Sequence, residues 1–269
     1  MGNNNDGNIS TENPLITKHN KFTDMKKILI IFLSVTFLIG NAFTQDYLTV
    51  GVISKVINIK VGNSTGSSFI IYEDGKSYLV TAKHVLGNVK NKQIIAFEFY
   101  KDSLWMKTAG TALLHSNTGI DIAVIDLNDP SERKNHIGLT THGLVYGDEG
   151  YFLGFPYGLK VKNKEDINAG LPFPLVKKAI ISAIFNENGI ITLFLDGHNN
   201  PGFSGGPIVF RNIDEPKKHK WNIVGVVSGY KPQNNEINTP FGKMKYNENS
   251  GIMIGYGIEH VFEIIQKNN

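Results

Sequence analysis

Short apolar runs alternate with polar punctuation along most of this chain. Runs rich in Ile, Val, Phe and Tyr, mostly four to seven residues long, occur at 67–72, 77–81, 94–99, 120–126, 150–154, 179–184, 190–195, 208–210, 222–227 and 251–255. Gly, Asn, Pro and Lys separate them. Runs of this length and composition predict strands. No long amphipathic helical pattern alternates with them, which argues against a parallel α/β sheet. One helix of any length is predicted, around 258–266. The expected class is all-β, a sandwich or barrel. Two polar stretches, 159–174 and 231–250, read as long loops, either functional lids or flexible connections.

The N-terminal region follows a different pattern. Residues 1–24 are polar and Asn-rich without periodicity, and read as disordered or as preceding the true start at Met25. Residues 25–44 have the layout of a secretory signal peptide: Lys26 and Lys27, a 12-residue apolar run over 28–39, then small residues around Ala42 and Thr44. A bilayer span needs roughly 17 or more apolar residues. Export with cleavage is therefore expected, to a periplasm or the extracellular space, and a signal-anchored membrane form is the alternative. Residues 45–269 form the expected folded unit, with no stable membrane association once the signal is cut.

Composition narrows the chemistry. Of the 269 residues, 41% are hydrophobic and 19% charged, enough for a packed core and too apolar for wholesale disorder. The absence of cysteine excludes disulfides, thiolate catalysis and cysteine-ligated zinc. It also fits a bacterial envelope better than a eukaryotic secretory route. A net charge of +3 is too small to indicate nucleic acid as a partner. The only arginines, Arg133 and Arg211, are too few for bidentate phosphate or base reading.

Three segments carry candidate chemistry. Leu79-Val-Thr-Ala-Lys-His84 ends an apolar run in a histidine. Gly119-Ile-Asp121-Ile-Ala-Val opens another with an aspartate. Asn200-Pro-Gly202-Phe-Ser204-Gly-Gly-Pro207 sets a serine in a glycine-rich turn. A serine hydroxyl is a poor nucleophile until a base takes its proton. His84 can be that base near neutral pH. Asp121 can fix the imidazole tautomer and stabilise its cation. The amides of Gly202 and Ser204 can form an oxyanion hole, with glycine at 202 permitting backbone angles a side chain would oppose.

This order of motifs resembles the chymotrypsin/trypsin-like serine peptidases, most closely the bacterial HtrA/Deg-type and glutamyl-endopeptidase-type members. Asn63-Ser-Thr-Gly-Ser-Ser-Phe69 resembles their entry strand, 147–156 their Gly-Tyr-Pro strand, and Gly255-Tyr-Gly-Ile258 their closing strand. The likeness spans roughly 48–267. It implies a double six-stranded antiparallel β-barrel with a short C-terminal helix and the triad between the barrels. It also implies polypeptide substrates, an acyl-enzyme mechanism, and no cofactor or metal. Phe203 stands where trypsin-like enzymes carry an aspartate that pairs with a freshly cut N-terminus, so that activation route is not expected. No PDZ domain of the kind that HtrA-type relatives often carry is expected after 265.

The resemblance also suggests a substrate pocket. His198, six residues before Ser204, falls where the family builds the pocket floor, and Ser228 and Gly229 fall on its wall. A polar pocket with His198 would favour acidic side chains, and a preference for small aliphatic ones is equally open. As a plain surface histidine, His198 would do neither. The other histidines, His115, His136, His142, His219 and His260, form no ligand cluster at helical or hairpin spacing, so no metal is expected. The rival reading is a peptidase fold serving as a binding or chaperone-like module with little activity, its cleft covered by the two long loops.

Overall fold

A computed structural model describes residues 1–2, 48–161, 168–212 and 220–268. The predicted export segment lies outside these residues. No described helix is long and apolar enough to cross a membrane.

From Leu48 onward the chain is one compact unit of two β-systems. The first comprises β1 (Val56–Val61), β2 (Ser64–Glu73), β3 (Lys76–Thr81), β4 (Gln93–Lys101), β5 (Leu104–Leu114) and β6 (Ala123–Pro130). They pair antiparallel in the order β1-β2-β3-β6-β5-β4, and β1 meets β4 to close the barrel. Asp74-Gly75, both at positive φ, makes the tight β2–β3 turn whose twist matches its strands. Inward residues such as Ile57, Leu79, Phe97 and Ile125 fill the interior.

The second system comprises β7 (Gly138–Leu139), β8 (Glu149–Gly154), β9 (Leu175–Glu187), β10 (Ile190–Asp196), β11 (Pro207–Arg211), β12 (Trp221–Thr239) and β13 (Gly242–Gly257). Its order is β11-β8-β9-β10-β13-β12-β7, and an added β11–β12 pairing closes six of the strands into a ring. Phe152, Leu193, Phe203 and Met253 lie in its core. A third cluster joins both systems, with Phe69, Tyr78 and Ile122 from one side meeting Leu153, Trp221 and Val226 from the other.

The α-helices among the described residues are α1 (Val50–Ile53), α2 (Lys83–Leu86) and α3 (Glu259–Asn268). The one-sided pattern of α3 puts His260, Val261, Ile264 and Ile265 against that joining cluster. Its span agrees closely with the predicted helix.

One expectation needs correction, and two strands lack the apolar run that marks the others. Residues 231–250 are not a loop but the outer part of the β12–β13 hairpin, paired from Pro232↔Asn249 to Thr239↔Gly242. Its outer strands are exposed and polar, so no apolar run marks them. The strands β1 and β5 lack clean apolar runs as well. Asn58 is buried inside β1, and most of the first half of β5 is exposed. The described part of 159–174 packs on the first barrel: Leu171 joins its core cluster, and Asp102 N–H donates to Gly170 O at 2.9 Å.

Candidate active site

The connection after β3 turns directly into α2, which carries His84. Asp121 stands two residues ahead of β6. Because β3 and β6 are neighbours (Thr81↔Ala123), the two side chains emerge side by side. Asp121 Oδ1 accepts the His84 backbone N–H at 2.9 Å, and Oδ2 lies 2.7 Å from His84 Nδ1. Ser228 Oγ donates to the same Oδ2 at 2.5 Å. Burial pushes the Asp121 carboxyl upward, but the hydrogen bonds from His84 and Ser228 more than offset it, so the group lies below its ordinary range. It is therefore an ionised acceptor at neutral pH. The hydrogen bond to Asp121 raises the His84 pKa, against a smaller lowering by burial. In neutral His84 the proton then sits on Nδ1, leaving Nε2 with a lone pair and no hydrogen-bond partner among the described residues.

Ser204 follows Phe203, which is fully buried and packs edge-on to Phe152 with ring centroids 4.8 Å apart. Burying a side chain of this size stabilises by about 1.5–3 kcal/mol. It anchors the turn apolarly where the resemblance has an aspartate.

The carbonyls of this turn can be accounted for one by one. His198 O accepts from Lys177 Nζ, and Asn199 O accepts from Asn249 Nδ2 at 2.5 Å. Asn200 O accepts from Phe203 N–H at 3.2 Å, and Pro201 O from Tyr157 N–H at 2.8 Å. Gly202 O accepts from Ser67 Oγ at 2.7 Å. Phe203 O and Ser204 O accept from Gly206 N–H and Ser67 N–H, each at 2.9 Å. Seven consecutive carbonyls are thus turned away to donors, while the N–H groups of Gly202 and Ser204 have no acceptor among the described residues. Unpaired backbone donors on a fixed turn are what a developing oxyanion requires.

Gly202 and Gly66 are two of the places here that require glycine. Gly202 has φ +106°, and a Cβ on it would lie 2.4 Å from Phe155 O. Gly66 lies between Val85 and Ser204, where a Cβ would come 2.8 Å from Val85 Cγ2 and 3.1 Å from Ser204 O. The absence of a side chain lets the His84 segment and the Ser204 turn approach each other.

Ser204 Oγ donates to Ser228 O at 3.1 Å. Ser228 therefore touches both halves of the site, through its carbonyl to Ser204 and through its hydroxyl to Asp121. The sequence reading gave Ser228 a pocket role only. Gly229 lies beside it on β12, with open space where a side chain would stand. His198 has an exposed ring with no hydrogen-bond partner among the described residues, and its carbonyl faces Lys177. Ser67, Lys177, Tyr157 and Asn249 were not anticipated as supports. Ser67 at least lies inside the quoted entry-strand motif, whereas nothing in the local sequence marks the other three.

Two histidines do meet a carboxylate, contrary to expectation. His115, His260 and Glu263 come together with their ligand-capable atoms within 4.8 Å of one another. His260 and Glu263 are spaced i,i+3 on α3, and His115, just past β5, is remote in sequence. Glu263 Oε2 lies 2.8 Å from His115 Nε2 and 3.2 Å from His260 Nδ1. The other nitrogens accept backbone N–H groups, His115 Nδ1 from Asn117 and His260 Nε2 from Ile191, each at 2.9 Å. Both rings therefore donate to Glu263, and neither keeps a free lone pair for a cation.

The sequence profile of the trypsin-like peptidase domain matches residues 66–213, more than half of the chain. The chain belongs to that family. Among solved structures it is similar to the serine endoprotease from Yersinia pestis, at 18% identity over 82% of this chain and 67% of that one, with a TM-score of 0.52. It is also similar to the HtrA-type protease AlgW. The form with a tripeptide is 22% identical over 80% of this chain, with a TM-score of 0.49. A variant with a decapeptide is 19% identical over 80% of this chain and 63% of that one, with a TM-score of 0.51. The chain spans about 60% of the length of the tripeptide-bound AlgW. No curated protein matches it.

Proposed function

We propose that the protein is an exported serine endopeptidase that cleaves polypeptides through an acyl-enzyme. Ser204 Oγ attacks the scissile carbonyl carbon while His84 Nε2 takes its proton. The carbonyl oxygen becomes an oxyanion held by the N–H groups of Gly202 and Ser204. The tetrahedral intermediate collapses, the C–N bond breaks, and imidazolium His84 returns the proton to the leaving amine. Water, deprotonated by His84, then hydrolyses the ester and frees Ser204. Asp121 holds the ring tautomer and stabilises the cation. These steps need no metal or cofactor.

The observation that carries this reading is the carbonyl accounting around Ser204, which leaves the Gly202 and Ser204 N–H groups unpaired. A loop that served only to bind or to fill space would have no reason to leave two donors open. Polypeptide substrates are supported by the fold shared with AlgW, whose variant was solved with a decapeptide.

One detail favours a second reading, a site idle at rest. The Ser204 hydroxyl is engaged with Ser228 O and must leave it before His84 can take its proton. Catalytic hydrogen bonds often form only once substrate is bound. The test is labelling of the full chain with a fluorophosphonate probe beside Ser204→Ala. Active-site chemistry predicts labelling of the native chain and none of the variant. A folded native chain that stays unlabelled would leave the binding-module reading standing.

A further inference from the structure

Of the seven donors that hold the turn, six are uncharged. The seventh is the Lys177 ammonium on β9. It donates to His198 O and to Asn200 Oδ1, the latter at 3.2 Å. The same ammonium lies 5.7 Å from the Phe152 ring centroid and 5.9 Å from that of Phe203. Here one cation bridges the first part of the turn and caps the aromatic pair beneath Ser204.

From there a chain of bonds leads to the oxyanion donors. Asn200 Nδ2 donates to Tyr157 Oη at 3.3 Å. The backbone N–H of Tyr157, a residue held at φ 52°, binds Pro201 O at 2.8 Å. In a trans peptide the C=O and the following N–H point in opposite directions. Fixing Pro201 O on Tyr157 therefore fixes the Gly202 N–H toward the other face.

We propose that Lys177 is a positioning residue, a half-exposed cation that holds residues 198–202 in the register where the Gly202 N–H faces the reacting carbonyl. This rests on the peptidase reading above, but the anchoring itself can be measured without it. Lys177→Met keeps the length and apolar contact of the stem while removing the charge and the donors. Lys177→Arg retains a cation able to reach at least one acceptor.

Two measurements on the full chain test the proposal. The first is amide hydrogen exchange at Phe203, Gly205 and Gly206, which are bonded to Asn200 O, Val227 O and Phe203 O. Lys177→Met is expected to speed their exchange by about tenfold or more, with amides of β10 and β13 unchanged. The second is fluorophosphonate labelling and peptide turnover. Lys177→Met is expected to lower the labelling rate and kcat by about tenfold or more while KM changes less, the pattern of a lost transition-state donor. Lys177→Arg should recover part of both effects. Unchanged exchange and labelling in Lys177→Met would overturn the proposal. So would exchange that accelerates equally in β10 and β13, which would make Lys177 a general stabiliser. If the native chain is never labelled, the peptidase reading fails, and the exchange measurement still decides whether Lys177 anchors the turn.

Discussion

Among the described residues, the clusters at His84 and at His115 both join histidine to a carboxylate, and their nitrogens are used differently. In one, Glu263 receives both His115 and His260, and each ring's second nitrogen accepts a backbone N–H. Every lone pair is engaged, and His260 is fully buried. In the other, Asp121 receives His84 Nδ1, and Nε2 is left without a partner among the described residues. The first arrangement closes a structure and the second leaves a base available. Residue types alone do not separate the two, whereas hydrogen-bond accounting does.

The comparison breaks most sharply at Asp121. In Asp121→Asn the carboxamide can accept from Nδ1 or donate to it, and the wrong tautomer puts the proton on Nε2. Peptide turnover should fall by about 10⁴-fold with the fold retained. Steady-state kinetics beside a thermal melt checks this, and near-native kcat would remove Asp121 from the mechanism. His260→Leu should do the reverse. It orphans the Ile191 N–H and removes a donor to Glu263, costing about 1–3 kcal/mol of stability, while the turnover of molecules that remain folded holds. For a domain of this size that lowers Tm by roughly 2–4 °C per kcal/mol. Added Zn²⁺ should not raise the Tm of the native chain, since no nitrogen of this cluster is free. A zinc-dependent rise that His115→Ala abolishes would show that the cation displaces those backbone donors.

How much of this was legible beforehand follows from the same distinction. His84, Asp121 and Ser204 stand in short motifs whose order survives in the sequence, and Ile, Val and Phe runs mark the buried strands around them. In the cluster at His115, the i,i+3 pair His260 and Glu263 is legible on the predicted helix, but His115, 145 and 148 positions away, is not. The outer β12–β13 hairpin carries no strand signal because Asn, Lys and Glu pair across it as freely as apolar residues would. Glu236 and Lys243 even form an ion pair there at 2.7 Å. Backbone pairing carries that ribbon, and it leaves no hydrophobic period. Supports such as Lys177 and Tyr157 act through carbonyls, which no side-chain motif records.

A smaller effect sharpens the comparison at Ser228. Its hydroxyl is the second donor to Asp121 Oδ2, and Ser228→Ala removes that bond while keeping the carbonyl that accepts from Ser204. Loss of one hydrogen bond to a charged group corresponds to about 1.5–3 kcal/mol when it is fully coupled. Asp121 keeps both bonds from His84, so the expected fall in kcat is nearer tenfold, far short of Asp121→Asn. A loss as large as that of Asp121→Asn would mean that Ser228, rather than the His84 backbone, orients the carboxylate.

The smallest effect is a displacement along the pH axis. His84 must be neutral to accept the Ser204 proton, and its hydrogen bond to Asp121 raises its pKa. The acid limb of kcat/KM should therefore lie above the ordinary histidine value of about 6.5. The same pair also sets a stability window. A raised His84 pKa contributes stability that is fully present below about 6.5 and is lost as pH climbs through the raised value. A lowered Asp121 pKa contributes stability that is present above the ordinary aspartate range and is lost as pH falls through the lowered value. Between those limits both groups are charged. The Tm difference between the native chain and Asp121→Asn should be larger at pH 5.5 than at pH 8.5. At the Glu263 cluster the carboxylate is likewise held low, by His260 and His115 against burial, so Glu263→Gln should cost stability at both of these pH values. A Tm difference for Asp121→Asn that grows toward pH 8.5 would mean that the His84–Asp121 pair is not the ion pair its 2.7 Å contact implies.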